Sequence, residues 1–237
     1  MINQPFYQQG RVILDISRTE LKFMISYEEY RKLRNQLSLL MELDLHSEEA
    51  TKDYAISSVY FDDLYASRVG EKADGIEYHQ KFRLRTYSTG DVRLEYKTKV
   101  GQMTGKESLW VNEELSQALI NRDFDVLYDH LDEPLIADIV TRMKLDDLHP
   151  EVVIEYHREA YTYPEGNVRV TFDKDIGAYT FGSDPRFIRR IIEPTMMILE
   201  VKYSGFIPEH IRKVIFSHRY QVSSLSKYYM GWIILFN

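Results

Sequence analysis

Charged and hydrophobic residues alternate along several segments of the chain, which is the pattern of half-buried β-strands. Eight segments either alternate in this way or are rich in β-branched and aromatic residues: 18–25, 54–61, 78–87, 91–100, 106–111, 151–163, 168–173 and 196–203. Short turn sequences join some of them, such as Ser88-Thr89-Gly90 between the third and the fourth. Turns of this kind predict antiparallel hairpins.

Hydrophobic residues at helical spacing separate some of the predicted strands. Ser26 and Glu29 have the spacing of a capping box, and the leucines that follow predict an amphipathic helix to about Met41. The stretch 112–144 predicts two or three helices, and Pro208 begins another. The chain is therefore expected to combine about eight strands with helices that pack outside them.

Several predicted strands carry polar, mostly charged residues at successive i, i+2 positions, so one face of each strand holds all of them. These sets are Arg83 and Arg85; Arg93, Glu95, Lys97 and Lys99; Arg169, Thr171 and Asp173; and Glu200 and Lys202. For a single strand the ordinary explanation is the solvated face of an antiparallel sheet. Because the pattern recurs, we expect an α+β fold in which helices cover the apolar faces. The charges would then line a closed eight-stranded antiparallel β-barrel, or tunnel.

Such an interior would be unstable if arginine and lysine were left there without water, carboxylates or a polyanion to neutralise them. Guanidinium and ammonium groups bind phosphoryl oxygens, so the expected ligand is a linear chain of phosphates. The carboxylates Glu20, Glu95 and Glu200 are interspersed with these cations and are candidate ligands for Mg²⁺ or Mn²⁺.

Composition excludes several other classes of protein. A net charge of −7 disfavours binding to duplex nucleic acid, and the absence of cysteine excludes disulfides and thiolate metal sites. No apolar stretch is long enough to cross a bilayer, so we expect a cytoplasmic chain that does not insert into a membrane. Residues 1–237 contain no domain-sized linker and are predicted to form one domain, with a flexible loop at 182–190.

Common catalytic motifs are also missing. The segment 101–107 differs from a P-loop, because it is one residue short between the glycines and has Glu107 where serine or threonine belongs. The histidines lack metalloprotease spacing, and no serine-hydrolase elbow is present. Phosphate chemistry therefore has to rest on the charged strands.

The order and spacing of the motifs resemble the vacuolar transporter chaperone (VTC) polyphosphate polymerase domain, in the CYTH or triphosphate tunnel metalloenzyme superfamily. The matching motifs are RTELKFMI at 18–25, SVYFDD at 58–63, KFRLRTY at 81–87, LEYKTK at 94–99, GKE at 105–107, EYHREAY at 155–161, VRVTFDKDI at 168–176, ILEVKY at 198–203 and SLSKYYMG at 224–231. Arg18 stands at the first acidic position of the superfamily's E-x-E-x-K opening, whereas Glu20 and Lys22 remain. This departure weakens an assignment as a hydrolase with a full acidic metal cluster.

The resemblance implies a tunnel that binds the triphosphate of ATP and a growing polyphosphate chain. Its phosphate-binding and catalytic residues would be Lys22, Arg83, Arg85, Lys97, Arg158, Arg169 and Lys227, with further substrate contacts from Lys99, Lys106 and Lys202. Glu200 would be the principal metal carboxylate. The implied reaction transfers the γ-phosphate of ATP to polyphosphate. The resemblance is also compatible with a separate membrane partner that receives the polymer.

Two other functions use the same residues. Water could replace the second phosphate chain, giving a triphosphatase or polyphosphatase in which Glu95 orients the water. The chain could instead bind polyphosphate or a nucleotide without turnover. Structural explanations also compete at single residues: an ion pair for Glu200, a snorkelling arginine at the edge for Arg158, and a turn cap for Asp173.

Overall fold

The computed structural model describes residues 18–44, 46–48, 51–73, 78–100, 103–217 and 220–237. The strands within these residues are β1 (Arg18–Ser26), β2 (Glu42–Leu43), β3 (Tyr54–Asp62), β4 (Tyr78–Tyr87), β5 (Val92–Val100), β6 (Met103–Val111), β7 (His149–Tyr163), β8 (Val168–Thr180), β9 (Arg189–Arg190) and β10 (Met196–Ser204). The helices are α1 (Tyr27–Leu37), α2 (Ser67–Ala73), α3 (Glu113–Asn121), α4 (Phe124–Tyr128), α5 (Pro134–Leu145), α6 (Glu209–Ile215) and α7 (Lys227–Phe236). The fold is α+β, with strands as its main component.

The chain forms two compact units. The first contains Ser58–Val153, in which the strand order is β3-β4-β5-β6. Antiparallel pairing of β4 with β5 and of β5 with β6 places Phe82, Leu84 and Leu94 on one side of this sheet. Helices α3, α4 and α5 supply the rest of the core on that side, so the other side is left for the charged residues.

The second unit contains Ser17–Ser57 and Ile154–Asn237. Its strand order is β1-β10-β8-β7, with the two-residue strands β2 and β9 paired to β7 and β8. Phe23, Phe172 and Leu199 lie on the apolar side, where residues of α1 and α6 complete the core. As in the first unit, helices cover the apolar face of the sheet, here α1 and α6, whereas α7 brings Lys227 to the charged face.

Local sequence signals explain several element ends. The Ser26 hydroxyl accepts the amide of Glu29 while the Glu29 carboxylate accepts the amide of Ser26, which confirms the predicted capping box. The helix it begins stops at Leu37, earlier than predicted. Pro208 is the residue before α6 rather than its first residue. The stretch after Asn112 forms three helices, within the predicted number.

The structure corrects two predictions about architecture. The described residues form ten strands rather than eight, and the sheet is not closed into a barrel: its strand order runs from β1 to β6, with no ladder between those two strands in the described part of the chain. Segment 182–190 contains a 3₁₀ turn capped by Asp184 and then β9, so it has more regular structure than its composition predicts. None of the described helices is long and apolar enough to cross a membrane.

Candidate functional site

The charged side of β4, β5 and β6 is called the basic face. Strand register sets its side chains in rows: Lys81, Lys97 and Lys106 are directly opposite one another across the three strands. Among the described residues of this face there are seven cations, Lys81, Arg83, Arg85, Arg93, Lys97, Lys99 and Lys106, and one carboxylate, Glu95. The basic face therefore has a strong excess of positive charge. Like charges directly opposite each other in a sheet are destabilising, so this excess lowers the stability of the free chain.

Glu95 is the internal counter-ion of the basic face. Its carboxylate is 2% exposed and accepts the Nε of Arg83 at 2.6 Å, while Lys106 Nζ lies 2.5 Å away and Arg85 Nη2 lies 3.7 Å away. Burial by itself would raise the pKa of Glu95, but the three cations outweigh it and hold the pKa well below its usual range. The carboxylate is ionised throughout the physiological range and offsets only part of the surrounding charge.

Arg83 is held from two sides. Its Nη1 donates to the hydroxyl of Tyr60 at 2.9 Å, and its guanidinium lies 5.7 Å from the centre of the Tyr60 ring. Arg85 is 8% exposed, whereas the Arg83 side chain is 24% exposed. These two arginines are thus fixed in position before any ligand arrives, which lowers the ordering cost of binding an anion.

Lys106 has an amine with a shifted pKa. Burial and the neighbouring Arg83 and Arg85 lower its pKa to about 8, although Glu95 opposes the shift. The side chain as a whole is 44% exposed. An anion bound nearby would stabilise the charged form of such a lysine and raise its pKa again.

The second charged surface is called the mixed face. It consists of the charged side of β1, β10 and β8, together with Arg158 of β7, Lys227 at the start of α7, and Asp44. Its cations are Lys22, Arg158, Arg169, Lys202 and Lys227, and its carboxylates are Glu20, Asp44, Asp173 and Glu200. The charges of the mixed face nearly balance.

Asp173 is the buried centre of the mixed face. Arg158 donates to both of its oxygens, from Nε at 2.6 Å and from Nη2 at 2.8 Å, and Lys227 Nζ donates at 2.5 Å. Both cations also lie over the ring of Tyr156. Burial would raise the pKa of Asp173, but Arg158 and Lys227 lower it to about 2. Asp173 is therefore the anchor of two predicted phosphate ligands, and the turn-cap explanation for it is wrong.

Glu200 is surrounded by cations at both oxygens. Lys202 and Lys22 lie 3.2 and 3.7 Å from Oε1, and Arg158 lies 3.5 Å from Oε2. Despite its burial, these charges keep the pKa of Glu200 well below its usual range. Lys22 also contacts Glu20 at 2.8 Å. The two glutamates are thus linked through lysines rather than placed against each other.

Arg169 and Arg158 occupy different kinds of environment. Arg169 pairs with Asp44 and donates to the hydroxyl of Tyr54 at 3.2 Å. Arg158 is only 7% exposed, which rules out the alternative of a snorkelling arginine at the sheet edge. Both arginines are held by carboxylates of their own unit.

The predicted site residues fall into two groups. Arg83, Arg85, Lys97, Lys99, Lys106 and Glu95 belong to the basic face, and Lys22, Arg158, Arg169, Lys202, Lys227, Glu20 and Glu200 belong to the mixed face. Sequence reasoning missed Lys81 and Asp44 as members. Lys81 stands at an i, i+2 position before Arg83, so its spacing could have identified it. Asp44 has no comparable signal, because it meets Arg169 only through the fold.

The carboxylates of the two faces are the candidate donors for a metal ion. No group of three or more histidine, aspartate or glutamate side chains in the described part of the chain is arranged to hold a metal ion. Glu20 and Glu200 offer two carboxylates near flexible lysines. Mg²⁺ is often held by one or two carboxylates with phosphate oxygens and water completing its shell. The donor set therefore fits a cation shared with phosphate. Glu95 pairs with Arg83, Arg85 and Lys106, and its assignment as a metal ligand stays a prediction.

Comparison with known proteins identifies the fold and the family. A candidate adenylyl cyclase from Hippeastrum, described as having a dominant triphosphatase activity, has a similar structure: the TM-score is 0.54 at 13% identity, over 92% of this chain and 96% of that one. A candidate adenylate cyclase from Bacillus halodurans has a TM-score of 0.47 at 12% identity, over 85% and 88%. Comparison with curated proteins gave no match. The model of the VTC domain matches residues 17–236. The chain belongs to the VTC domain family.

Proposed function

We propose that the chain transfers the terminal phosphoryl group of ATP to a polyphosphate chain. The observation that carries this proposal is the charge of the basic face, where the described part of the chain places seven cations and one carboxylate. A concentration of fixed positive charge along neighbouring strands suits a linear polyanion with many phosphoryl oxygens. Its length along the strands suits a chain of phosphates better than a single phosphate.

The proposed reaction needs no nucleophile from the protein. A terminal oxygen of polyphosphate attacks the γ-phosphorus of ATP, the bond from that phosphorus to the β,γ-bridging oxygen breaks, and ADP leaves with the electron pair. Catalysis of this kind consists largely of alignment and charge stabilisation. Arg83 and Arg85 provide guanidinium groups, and Lys97 and Lys106 provide ammonium groups, for the phosphoryl oxygens.

The mixed face carries candidate phosphate ligands of its own. Arg158 and Lys227 are oriented by Asp173, and Lys22 and Lys202 can turn from Glu200 toward an incoming phosphate. Glu20 and Glu200 would hold Mg²⁺ or Mn²⁺ once those lysines have turned. When bound, the cation would neutralise charge on phosphoryl oxygens.

The test is to incubate the purified chain with ATP and Mn²⁺ or Mg²⁺, with and without a short polyphosphate primer, and to follow products by phosphorus NMR. Polymerase activity gives ADP and a growing signal from internal phosphates, and the primer stimulates both. Lys97→Met should reduce the rate at least tenfold, because it removes a cation from the basic face. Lys213→Met is the matched control, since that lysine is exposed on α6 and pairs with Glu209.

A triphosphatase is the second candidate, favoured by the structural similarity to the Hippeastrum protein with its described triphosphatase activity. In the same experiment it would release inorganic phosphate from ATP without chain growth, and the primer would not stimulate ADP formation. Binding of ATP or polyphosphate with neither product would instead indicate a binding module. These three outcomes differ in their phosphorus spectra, so a single assay distinguishes them.

A further inference from the structure

One end of the basic face has an exposed aromatic residue beside two arginines. Strand register places Arg85, Arg93 and Trp110 in one row across β4, β5 and β6. The Arg93 guanidinium lies 4.9 Å from the centre of the Trp110 ring, and the Tyr87 ring lies 5.9 Å away. Trp110 nevertheless remains 55% exposed. Its indole is held in place and still presents a large surface to solvent.

Arg93 is a cation without a carboxylate among the described residues. Its Nη2 donates to the Ser108 hydroxyl at 2.6 Å, and its Nε is buried with no acceptor in the described part of the chain. A buried donor on a charged group normally has an acceptor, because leaving it unmet is costly. The side chain as a whole is only half-buried, so its guanidinium can meet an anion that lies next to the indole.

The distance along the strands also suits a nucleotide. Trp110 follows Lys106 by four residues on the same face of β6. At about 3.4 Å per residue, the lysine row and the tryptophan are separated by about 14 Å. This is comparable with the length of an extended nucleoside triphosphate from its terminal phosphate to its base, and Arg83, Arg85 and Arg93 lie at the rows between or beside these ends.

We propose that Trp110 is the stacking platform for the nucleobase of the triphosphate donor and that Arg93 binds the phosphate nearest the nucleoside. The inference rests on the proposed function, in which the basic face holds the triphosphate. It adds a direction: the nucleoside lies at the Trp110 end and the terminal phosphate lies toward Lys81, Lys97 and Lys106. Stacking on an aromatic ring is tolerant of base identity, so the site would accept ATP and GTP with similar affinity.

The experiment compares ATP with inorganic tripolyphosphate, which has the phosphates but no base. Intrinsic fluorescence reports binding, because the chain has two tryptophans, Trp110 and Trp232, and only Trp110 lies on the basic face. Isothermal titration gives both affinities independently of fluorescence. We expect ATP to quench the fluorescence and to bind about tenfold more tightly than tripolyphosphate at pH 7.

Two variants separate stacking from a structural effect. Trp110→Ala should lower the ATP affinity to that of tripolyphosphate, abolish the quenching, and leave the tripolyphosphate affinity unchanged. Trp110→Phe keeps an aromatic ring and should retain most of the preference for ATP. Because Trp110 is exposed, an unchanged tripolyphosphate affinity also shows that the alanine variant is folded.

Failure of the Trp110 assignment and failure of the proposed function give different results in this experiment. Equal affinity of the wild-type chain for ATP and tripolyphosphate overturns the Trp110 assignment and leaves the phosphate-binding function standing. The assignment is also wrong if Trp110→Ala weakens both ligands equally, since the residue would then support the face rather than stack on a base. If neither ligand binds, both the proposed function and this inference are overturned.

Discussion

The basic face and the mixed face arise from the same sequence pattern, charged residues at every second position of a strand, but they balance their charges differently. Counted over the side chains that the structure describes, the mixed face has five cations and four carboxylates, whereas the basic face has seven cations and one. The pattern of charges along single strands does not show this difference. It depends on which strands become neighbours and in what register.

The buried charges of the two faces also differ. On the mixed face Asp173 is fully buried and Arg158 and Glu200 are 7% and 5% exposed, while Lys22 and Lys202 are partly exposed. On the basic face Glu95 and Arg85 are buried, while the side chains of Arg83 and Lys106 are 24% and 44% exposed. Buried charges must be paired within the protein, whereas water stabilises exposed charges until a ligand binds. The mixed face is therefore expected to contribute to stability in the absence of ligand, and the basic face to depend on an anion.

The largest effect should come from breaking the mixed face at its centre. Asp173→Ala removes the acceptor of both Arg158 and Lys227 and leaves a buried guanidinium without its bidentate partner. Removing one partner of a buried pair costs about 3–5 kcal/mol. Urea denaturation should show a loss of that size, and added tripolyphosphate should restore only a small part of it.

A double variant controls for this result. Arg158→Met combined with Asp173→Leu removes both members of the pair, and it should be more stable than Asp173→Ala, because no guanidinium is left buried without its partner. If Asp173→Ala is as stable as the wild-type chain, the pair does not hold the mixed face together and the contrast between the two faces fails.

The sequence predicts the strands better than their partners. Segments 78–87 and 91–100 alternate clearly and do form the β4–β5 hairpin, with β5 beginning at Val92. The strands β2 and β9 have only two residues each, too few for alternation to be visible, so the predicted number of strands was too low. The prediction of a closed barrel is wrong because the alternation along a strand shows which of its faces is covered but not which strand pairs with each of its edges.

The candidate site residues were also easier to predict within one hairpin than between distant segments. Arg83, Arg85 and Lys97 could be predicted as one basic group because they lie within one hairpin. The contact between Arg158 and Asp173 joins residues of two strands, and each residue alone also fits a structural explanation. Contacts of this kind depend on packing between distant segments, which local patterns do not encode.

The next largest effect is expected from removing the carboxylate of Glu95 from the basic face. Glu95→Gln keeps the shape of the side chain but removes the charge that pairs with Arg83, Arg85 and Lys106, and should lower the free energy of unfolding by about 1–3 kcal/mol in low salt. Unlike Asp173→Ala, it should be rescued by tripolyphosphate, which supplies the missing negative charge and stabilises by mass action. Thermal denaturation with and without the ligand measures both.

The affinity of Glu95→Gln for tripolyphosphate is a second measurement on the same variant. It should be higher in Glu95→Gln than in the wild-type chain, because the ligand no longer competes with the internal carboxylate for Arg83 and Lys106. A lower affinity would mean that Glu95 contributes to ligand binding, for instance through a metal ion. That result would favour the prediction of Glu95 as a metal ligand over its role as a counter-ion.

A smaller effect is expected from the lysine row. Lys81→Met removes one of three lysines that are opposite one another and should weaken ATP binding by about tenfold at low ionic strength, less at high salt. The free chain should become slightly more stable, since repulsion across the strands is relieved. Isothermal titration at two salt concentrations checks the first part, and urea denaturation checks the second. An unchanged affinity would place Lys81 outside the ligand site.

The smallest effect should be a dependence on pH that is confined to the basic face. In the free chain the pKa of Lys106 is lowered to about 8, and phosphoryl oxygens would raise it again in the complex. Binding then takes up a proton above pH 8, so the affinity for ATP should fall as pH rises from 7.5 to 9.5, by about fivefold. Lys106→Arg stays charged over this range and should lose most of the dependence. Comparing the two chains at each pH cancels changes in the ionisation of ATP. Equal slopes would show that Lys106 does not contact the ligand, and the excess charge would then act through Lys81, Lys97 and the arginines instead.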